Sequence, residues 1–340
     1  MGFQSIFVAG SLRFLRVIPF GVPQNCHFGS SDSRRCVSFL SSEIQMDQKS
    51  VHVPVMPREV LHYLQLTEGL TVVDGTVGAG GHSAQILKRI GSTGRLIGFD
   101  RDPMMLEFAS EKLTQPNAHL FKSSYTRVQE FLPDMGLTKV DRVFLDLGLS
   151  SDQLVDRERG FGFDSKGPLD MRFNPKRGRP ASELLKESSV QQLETIFKDF
   201  GEEPFADRIA ARIVLDRKQN PFRTTEDLEA CVRSVVPGSN RTAKNPATRV
   251  FQALRIAVNN ELEHVQKMMT KVLPEILKSD GIAVVLTFHS LEDRIVKSAF
   301  KGNQEWQVLT KKPVESTPAE IRINPRTRSA KLRAVKRKAN

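Results

Sequence analysis

The 340-residue chain is poor in cysteine: Cys26, Cys36 and Cys231 are its only three, with no CxxC and no Cys/His cluster. That excludes a disulfide framework and a thiolate zinc site. No run of 18 apolar residues occurs, so no membrane-spanning helix is expected. The glycine-to-lysine string of a P-loop is missing, which excludes that mode of nucleotide binding. No internal repeat is visible. What remains is ordinary globular material, 39% hydrophobic and 26% charged, long enough to bury a core without staples.

Charge is distributed unevenly. The net charge is +11. Residues 1–40 hold Arg13, Arg16, Arg34 and Arg35 against Asp32 alone. Residues 321–340 carry eight basic residues and no acid, and residues 41–320 net to zero. The leader, 1–45, is rich in Arg and Ser, with an amphipathic stretch from Phe3 to Phe20 in which Arg13 and Arg16 interrupt any secretory apolar core. This composition is that of a mitochondrial presequence, so a mitochondrial matrix location is expected. The tail reads as a strand with a basic outer face suited to a polyanion.

From Leu70 onward the pattern alternates strand and helix. Apolar strands are expected at Leu70–Thr76, Arg95–Asp100, Ala118–Lys122 and Val140–Leu147, and helices at Ser83–Ile90, Met104–Leu113 and Thr126–Met135. Repeated units of this kind predict an α/β fold with a doubly wound, Rossmann-like sheet. After Ser150 the strands stop. Helices are expected at Ser182–Gly201, Pro204–Lys218, Thr224–Val236 and Pro246–Leu277. The sheet resumes at Gly281–Phe288, with an antiparallel edge hairpin from Trp306–Thr310 and Ala330–Val335. The expected layout is a sheet domain made of 50–151 and 255–340, carrying an inserted helical domain, 152–254, for substrate recognition.

The first strand runs into Asp74-Gly75-Thr76-Val77-Gly78-Ala79-Gly80-Gly81-His82, and the second ends at Asp100. Glycines let a backbone turn tightly against a ligand, and an acid ending the second strand suits the ribose hydroxyls of an adenosine. A dinucleotide fingerprint wants Gly or Ala where this chain has Ser83. Asp74, ahead of the loop, repels a pyrophosphate and suits an amino group. The pattern therefore favours S-adenosylmethionine over NAD. Loop capping is the alternative role for Asp74 and Asp100.

Longer strings go beyond pattern. They include His52-x-Pro54-Val55-Met56, Asp100-Arg101-Asp102-Pro103, Asp146-Leu147-Gly148-Leu149-Ser150-Ser151-x-Gln153, Arg159-Gly160-Phe161, Gly167-Pro168-Leu169-Asp170-Met171-Arg172, Asn245-Pro246-Ala247-Thr248-Arg249, Phe288-His289-Ser290-Leu291-Glu292-Asp293-Arg294 and Asn324-Pro325-Arg326. Together they resemble the MraW/RsmH family, S-adenosylmethionine-dependent N4-cytosine methyltransferases of small-subunit ribosomal RNA. The resemblance covers about 85% of the chain, from about residue 50 to the end. With the leader, the chain looks like a mitochondrial member. The resemblance implies that Gly80, Gly81 and His82 hold the methionine end, and that Asp100 is the ribose acid. It also places Tyr125, where the family often has Phe, against adenine, and sets Asp146 and Gln153 about the turn after the fourth strand.

Cytosine N4 is a poor nucleophile, so positioning and a proton acceptor are required. Asp146 is the candidate acceptor. No aromatic follows it, so the stacking ring must come from elsewhere, with Phe161, Phe163 and Phe288 as candidates. Ser290 either caps the next helix or, with His289, faces the target base as a catalytic residue. Arg172, Arg177, Arg179, Arg249 and Arg294 are candidate phosphate contacts.

The expected function is N4-methylation of a cytidine in mitochondrial small-subunit (12S-type) ribosomal RNA, free or in an assembling subunit, in support of subunit assembly and mitochondrial translation. A non-catalytic RNA-binding assembly factor that kept the fold is the alternative; a small-molecule methyltransferase fits the basic tail and insert less well. Fused to a fluorescent protein, residues 1–45 should carry it into mitochondria; a fusion that stays cytosolic removes the presequence reading.

Overall fold

The computed structural model describes residues 53–163, 166–237 and 245–339, so the leader lies outside the described residues. The chain opens with helix α1 (Pro57–Leu64), whose proline sits in the first turn, where no N–H is needed. Strand β1 (Thr71–Asp74), α2 (Gly81–Ile90), β2 (Arg95–Asp100), α3 (Pro103–Lys112), β3 (Ala118–Lys122), the single turn α4 (Val128–Phe131) and β4 (Val140–Asp146) complete the first half. Helices α5 (Ser151–Val155), α6 (Ala181–Glu187), α7 (Val190–Gly201), α8 (Ala206–Asp216), α9 (Thr225–Val235) and α10 (Thr248–Asn259) follow without a strand. Then α11 (Glu261–Lys267) and α12 (Leu273–Ile276) lead into β5 (Leu277–Thr287). The chain closes with α13 (Ser290–Gly302), β6 (Trp306–Val308), β7 (Val314–Glu315), α14 (Pro318–Ile323) and β8 (Lys331–Arg337).

The sheet order is β3-β2-β1-β4-β5-β8-β6, with β7 also pairing to β8. Strands β1 to β5 pair in parallel, as the βα rhythm requires. Strand β8 is antiparallel and sits between β5 and β6, so it lies inside the sheet, with β6 at the rim. Both faces are covered. Val73, Ile97, Val143, Leu145 and Val285 face one core, and Val72, Leu96, Phe144, Val284 and Leu286 face the other. Alternate side chains point to opposite faces, so strands buried on both sides read as unbroken apolar runs.

The helical stretch builds its own apolar core from Phe161 to Leu254, including Leu185, Leu193, Phe197, Ile209, Ile213 and Leu228. A boundary drawn at 254/255 falls inside α10.

Several expected elements differ. The helix expected over 182–201 breaks at Ser188, and Ser189 with Gln192 forms a capping box that starts α7. The long helix over 246–277 bends at Asn260, which adopts a left-handed φ of 52°, and passes through a π-helical stretch, Met268–Val272. Asparagine tolerates that conformation, and apolar spacing continues through the break. The helix over 126–135 is mostly 3₁₀, because Pro133 interrupts it.

The tail departs furthest from the open basic face. Arg333 is buried and forms a two-pronged ion pair with Asp293 of α13 at 2.6 and 2.9 Å. Arg337 donates to the carbonyls of Pro274 and Leu277, and Lys336 pairs with Asp280 at 2.7 Å. These cations pin β8 to the body. Removing one partner of a buried pair strands the other charge, so Arg333→Ala should lower unfolding free energy by about 3–5 kcal/mol in chemical denaturation. Replacing Arg333 and Asp293 together by apolar residues should recover much of that loss.

Candidate functional site

A cleft of about 900 Å³ opens where β1, β2 and β4 end, roofed by Phe173, Glu261 and His264 from beyond the sheet. Its position is the usual ligand crevice of an open α/β sheet, and its size suits a cofactor.

The glycine loop forms one wall. A Cβ at Gly75 would come within 2.3 Å of Leu145 and 2.8 Å of Tyr125, so only glycine lets the loop lie this close to β4. Gly80 has φ +77° at the start of α2 and packs against Leu113 and Ala109 rather than lining the cleft. Gly81 and His82 do line it. Asp74 is fully buried beneath the loop, where it accepts hydrogen bonds from the Thr76 N–H (3.1 Å) and the Ser83 hydroxyl (2.6 Å). It is therefore the clasp of the loop and is not on the cleft wall. Ser83, standing where a dinucleotide site would have a small residue, supplies that clasp.

Asp100 reaches the cleft at the end of β2 and accepts from the N–H groups of Gly78 (2.8 Å) and Asp102 (2.9 Å). Burial pushes its pKa up to about 6. Tyr125 stands beside Gly75, its ring edge-on to His264 at 6.4 Å, and burial pushes its phenol pKa up. Gln153 borders the cleft but spends its amide on structure: it closes a capping box with Ser150 and donates to Asp102 at 2.8 Å.

Asp146 ends β4. Its N–H donates to the Thr76 hydroxyl at 2.6 Å, which sets the strand end against the glycine loop. One carboxylate oxygen lies 3.7 Å from His82 Nε2; the other is buried with no hydrogen-bond partner among the described residues. Burial, then the charge of Asp74, push its pKa up to about 8, while Arg326 pulls the other way.

His289 and Ser290 are not on this wall. The Ser290 side chain does not cap α13; it is exposed and donates to Glu202 at 2.8 Å. His289 lies 3.1 Å from Glu292, whose other oxygen accepts the Phe288 N–H at 2.9 Å. Glu292 does line the cleft. Its burial raises its pKa, but His289, Arg255 and the Phe288 N–H together hold it below the ordinary value. Glu261, His289 and Glu292 lie close enough to hold a metal ion. However, Arg255 already binds both Glu261 oxygens at 2.8 and 2.9 Å, which makes the group a salt-bridged cluster.

Sequence reasoning assigned no role to Arg101, Glu261, His264 or Glu292. Arg101 donates to the Asn259 carbonyl (2.8 Å), contacts His264 Nδ1 (3.1 Å) and lies over the Phe173 ring at 5.7 Å. Burial, reinforced by Arg101, lowers the His264 pKa to about 4, so the ring is neutral and accepts. Arg101 and Glu292 do stand in the quoted motif strings; Glu261 and His264 left no signal beyond helical spacing. Among the candidate phosphate contacts, Arg172, Arg179 and Arg294 are paired with Asp170, Glu187 and Glu202.

The cleft thus presents Asp100, Asp146, Glu261 and Glu292 against Arg101. That surplus of acids disfavours a pyrophosphate and suits a ligand carrying an ammonium and a sulfonium. Asp146 with a folded pKa near 8 binds more protons folded than unfolded between about pH 4 and 8. Stability therefore falls as pH rises through that window. Asp146→Asn should flatten the fall and raise the melting temperature at pH 8 by about 2–4 °C, read by scanning calorimetry of the ligand-free protein at pH 5 and pH 8.

The family model described as the MraW methylase family matches residues 49–338. The ribosomal RNA small subunit methyltransferase H of Pseudothermotoga lettingae is 45% identical over 296 residues, spanning 85% of this chain and 99% of its own. The protein of the same name from Rhodopirellula baltica is 43% identical over 297 residues, covering 84% of this chain and 91% of its own. A third, from Dictyoglomus thermophilum, is 42% identical over 296 residues, covering 86% and 98%. Similarity that spans the glycine loop, the helical insert and the last strand, on a fold with an acid-lined cofactor cleft, places this chain in the MraW methylase family of S-adenosylmethionine-dependent methyltransferases.

Proposed function

We propose that the chain methylates N4 of a cytidine in mitochondrial small-subunit ribosomal RNA, free or within an assembling subunit, and so supports assembly and mitochondrial translation. Methylation of small-subunit ribosomal RNA is what the relatives are named for. The observation that carries the reading is Asp146: a carboxylate at the end of β4, on the cofactor cleft, with one buried oxygen lacking a partner among the described residues. Support for the mitochondrial part is the composition of the leader.

S-adenosylmethionine, when bound, supplies a methyl group on a positively charged sulfur; as the N4 lone pair forms the new N–C bond, the C–S pair returns to sulfur and one N4 proton must leave. The chain's own residues provide three things. Asp100 and the glycine loop fix the adenosine end, since the Asp100 carboxylate is already oriented by two N–H donors. The acids facing the cleft favour the cationic end. Asp146 accepts a hydrogen bond from the amino group, which localises the nitrogen lone pair, and then takes the proton. Cationic cofactor beside Asp146 favours its ionised form, so the acceptor is readied when the cofactor is present.

Full-length protein incubated with labelled S-adenosylmethionine and small-subunit RNA, as naked transcript and as immature particle, should yield N4-methylcytidine by nucleoside mass spectrometry. Asp100→Ala should lose cofactor binding and product together. Intact cofactor binding with no product on either substrate would favour the assembly-factor reading.

A further inference from the structure

A second, smaller cleft, about 250 Å³, lies on the other side of the turn that follows β4. Asp146 and Leu149 line both clefts, so the turn is a partition and Asp146 is accessible from each side. The far walls of the second cleft come from Phe288, Asn324 and Arg326. Phe288 is the residue at which the chain leaves β5, and its ring packs at the position of Gly148, where a Cβ would lie 3.4 Å from Cδ2. The other two candidate rings are engaged elsewhere: Phe161 is in the helical core with Arg159 over it, and Phe163 stands edge-on to Phe251.

Asn324 and Arg326 lie at the turn between α14 and β8, brought here by β8 pairing to β5. Arg326 donates to the Ser151 hydroxyl (2.6 Å) and the Leu149 carbonyl (2.8 Å). Among the described residues these use only two of the five N–H groups a guanidinium offers. The remainder and the Asp146 carboxylate make a donor–acceptor pair in one cleft. Cytosine presents a complementary edge: the N4 amino group donates, while N3 and O2 accept. Uracil presents O4 and an N3–H instead, which sets an acceptor against the carboxylate and a donor against the guanidinium.

Resting on the methyltransferase reading above, we propose that the target cytosine enters this second cleft, with its ring on Phe288, N4 toward Asp146, and N3 and O2 toward Arg326 and Asn324. Arg326 is then the residue that separates cytosine from uracil. The same charge keeps the acceptor ionised, since Arg326 opposes the rise in the Asp146 pKa. A target stacked in RNA must be flipped out to reach a cleft of this kind, and a flipped base is read along its pairing edge and held on an aromatic face.

The test is single-turnover methylation of small-subunit RNA by the full-length chain at saturating S-adenosylmethionine, across pH. Arg326→Met should slow methyl transfer by about 100-fold or more at pH 7, as expected when a buried polar reading group is lost. Cofactor affinity should stay within about twofold. The rising limb of the pH profile should move to higher pH, a shift that loop damage alone would not produce, and Arg326→Lys should move it back. Should Arg326→Met lose cofactor binding, Phe288→Leu decides, with an expected loss of about 10-fold or more at unchanged cofactor affinity. Variants that match the unmodified protein in rate and pH profile, while that protein still makes N4-methylcytidine, overturn the second cleft alone. An unmodified protein that makes no N4-methylcytidine overturns the enzymatic reading instead.

Discussion

The buried carboxylate of Asp102 is the contact on which the rest of the site depends. It caps α3 through the Met104 N–H, accepts the amide of Gln153 at 2.8 Å, and pairs with Arg159 at 2.8 Å. Those three partners come from the end of β2, the turn after β4 and the start of the helical insert. Arg159 continues the link by donating to the carbonyls of Arg172 and Phe173, beside the cleft roof. A charge taken out of water persists only when its hydrogen-bonding capacity is filled. Asp102 therefore holds three chain segments in one relation, and the cofactor cleft is the space between them.

Around that fixed point the protein tolerates an electrostatic conflict. Asp74, Asp100 and Asp146 all have raised pKa values, chiefly through burial, and Asp146 is raised further by Asp74. In an empty cleft this arrangement is destabilising. With a cation bound, it becomes complementary. Sites that store such tension are commonly functional ones, because the ligand relieves what folding could not. Here the relief falls on the group that the chemistry needs ionised.

The basic tail shows how composition can mislead about partners. Eight cations without an acid suggest an open polyanion-binding surface. In the folded chain Arg326, Arg333, Lys336 and Arg337 are spent on Ser151, Asp293, Asp280 and backbone carbonyls. Their partners lie about 40 or more residues away in the chain, so no local pattern pairs them.

By itself the sequence determined the parallel strands, because residues buried on both faces must all be apolar. It also determined the cofactor loop, because the close approach of Gly75 to β4 and the acid ending β2 are local demands on residue type. The helical insert was legible as a stretch without strands, and its internal breaks less so, since Ser189 and Asn260 interrupt helices without interrupting apolar spacing. Tertiary structure decided which residues of each motif face the reaction. Asp74 turned under the loop, His289 and Ser290 turned toward Glu292 and Glu202, and Phe288 took the exposed corner instead. It also brought Glu261, His264 and Arg326 to Asp100 and Asp146 from far along the chain. The reason is physical: spacing sets the face of an element a residue occupies, whereas sheet order and helix packing set what that face meets.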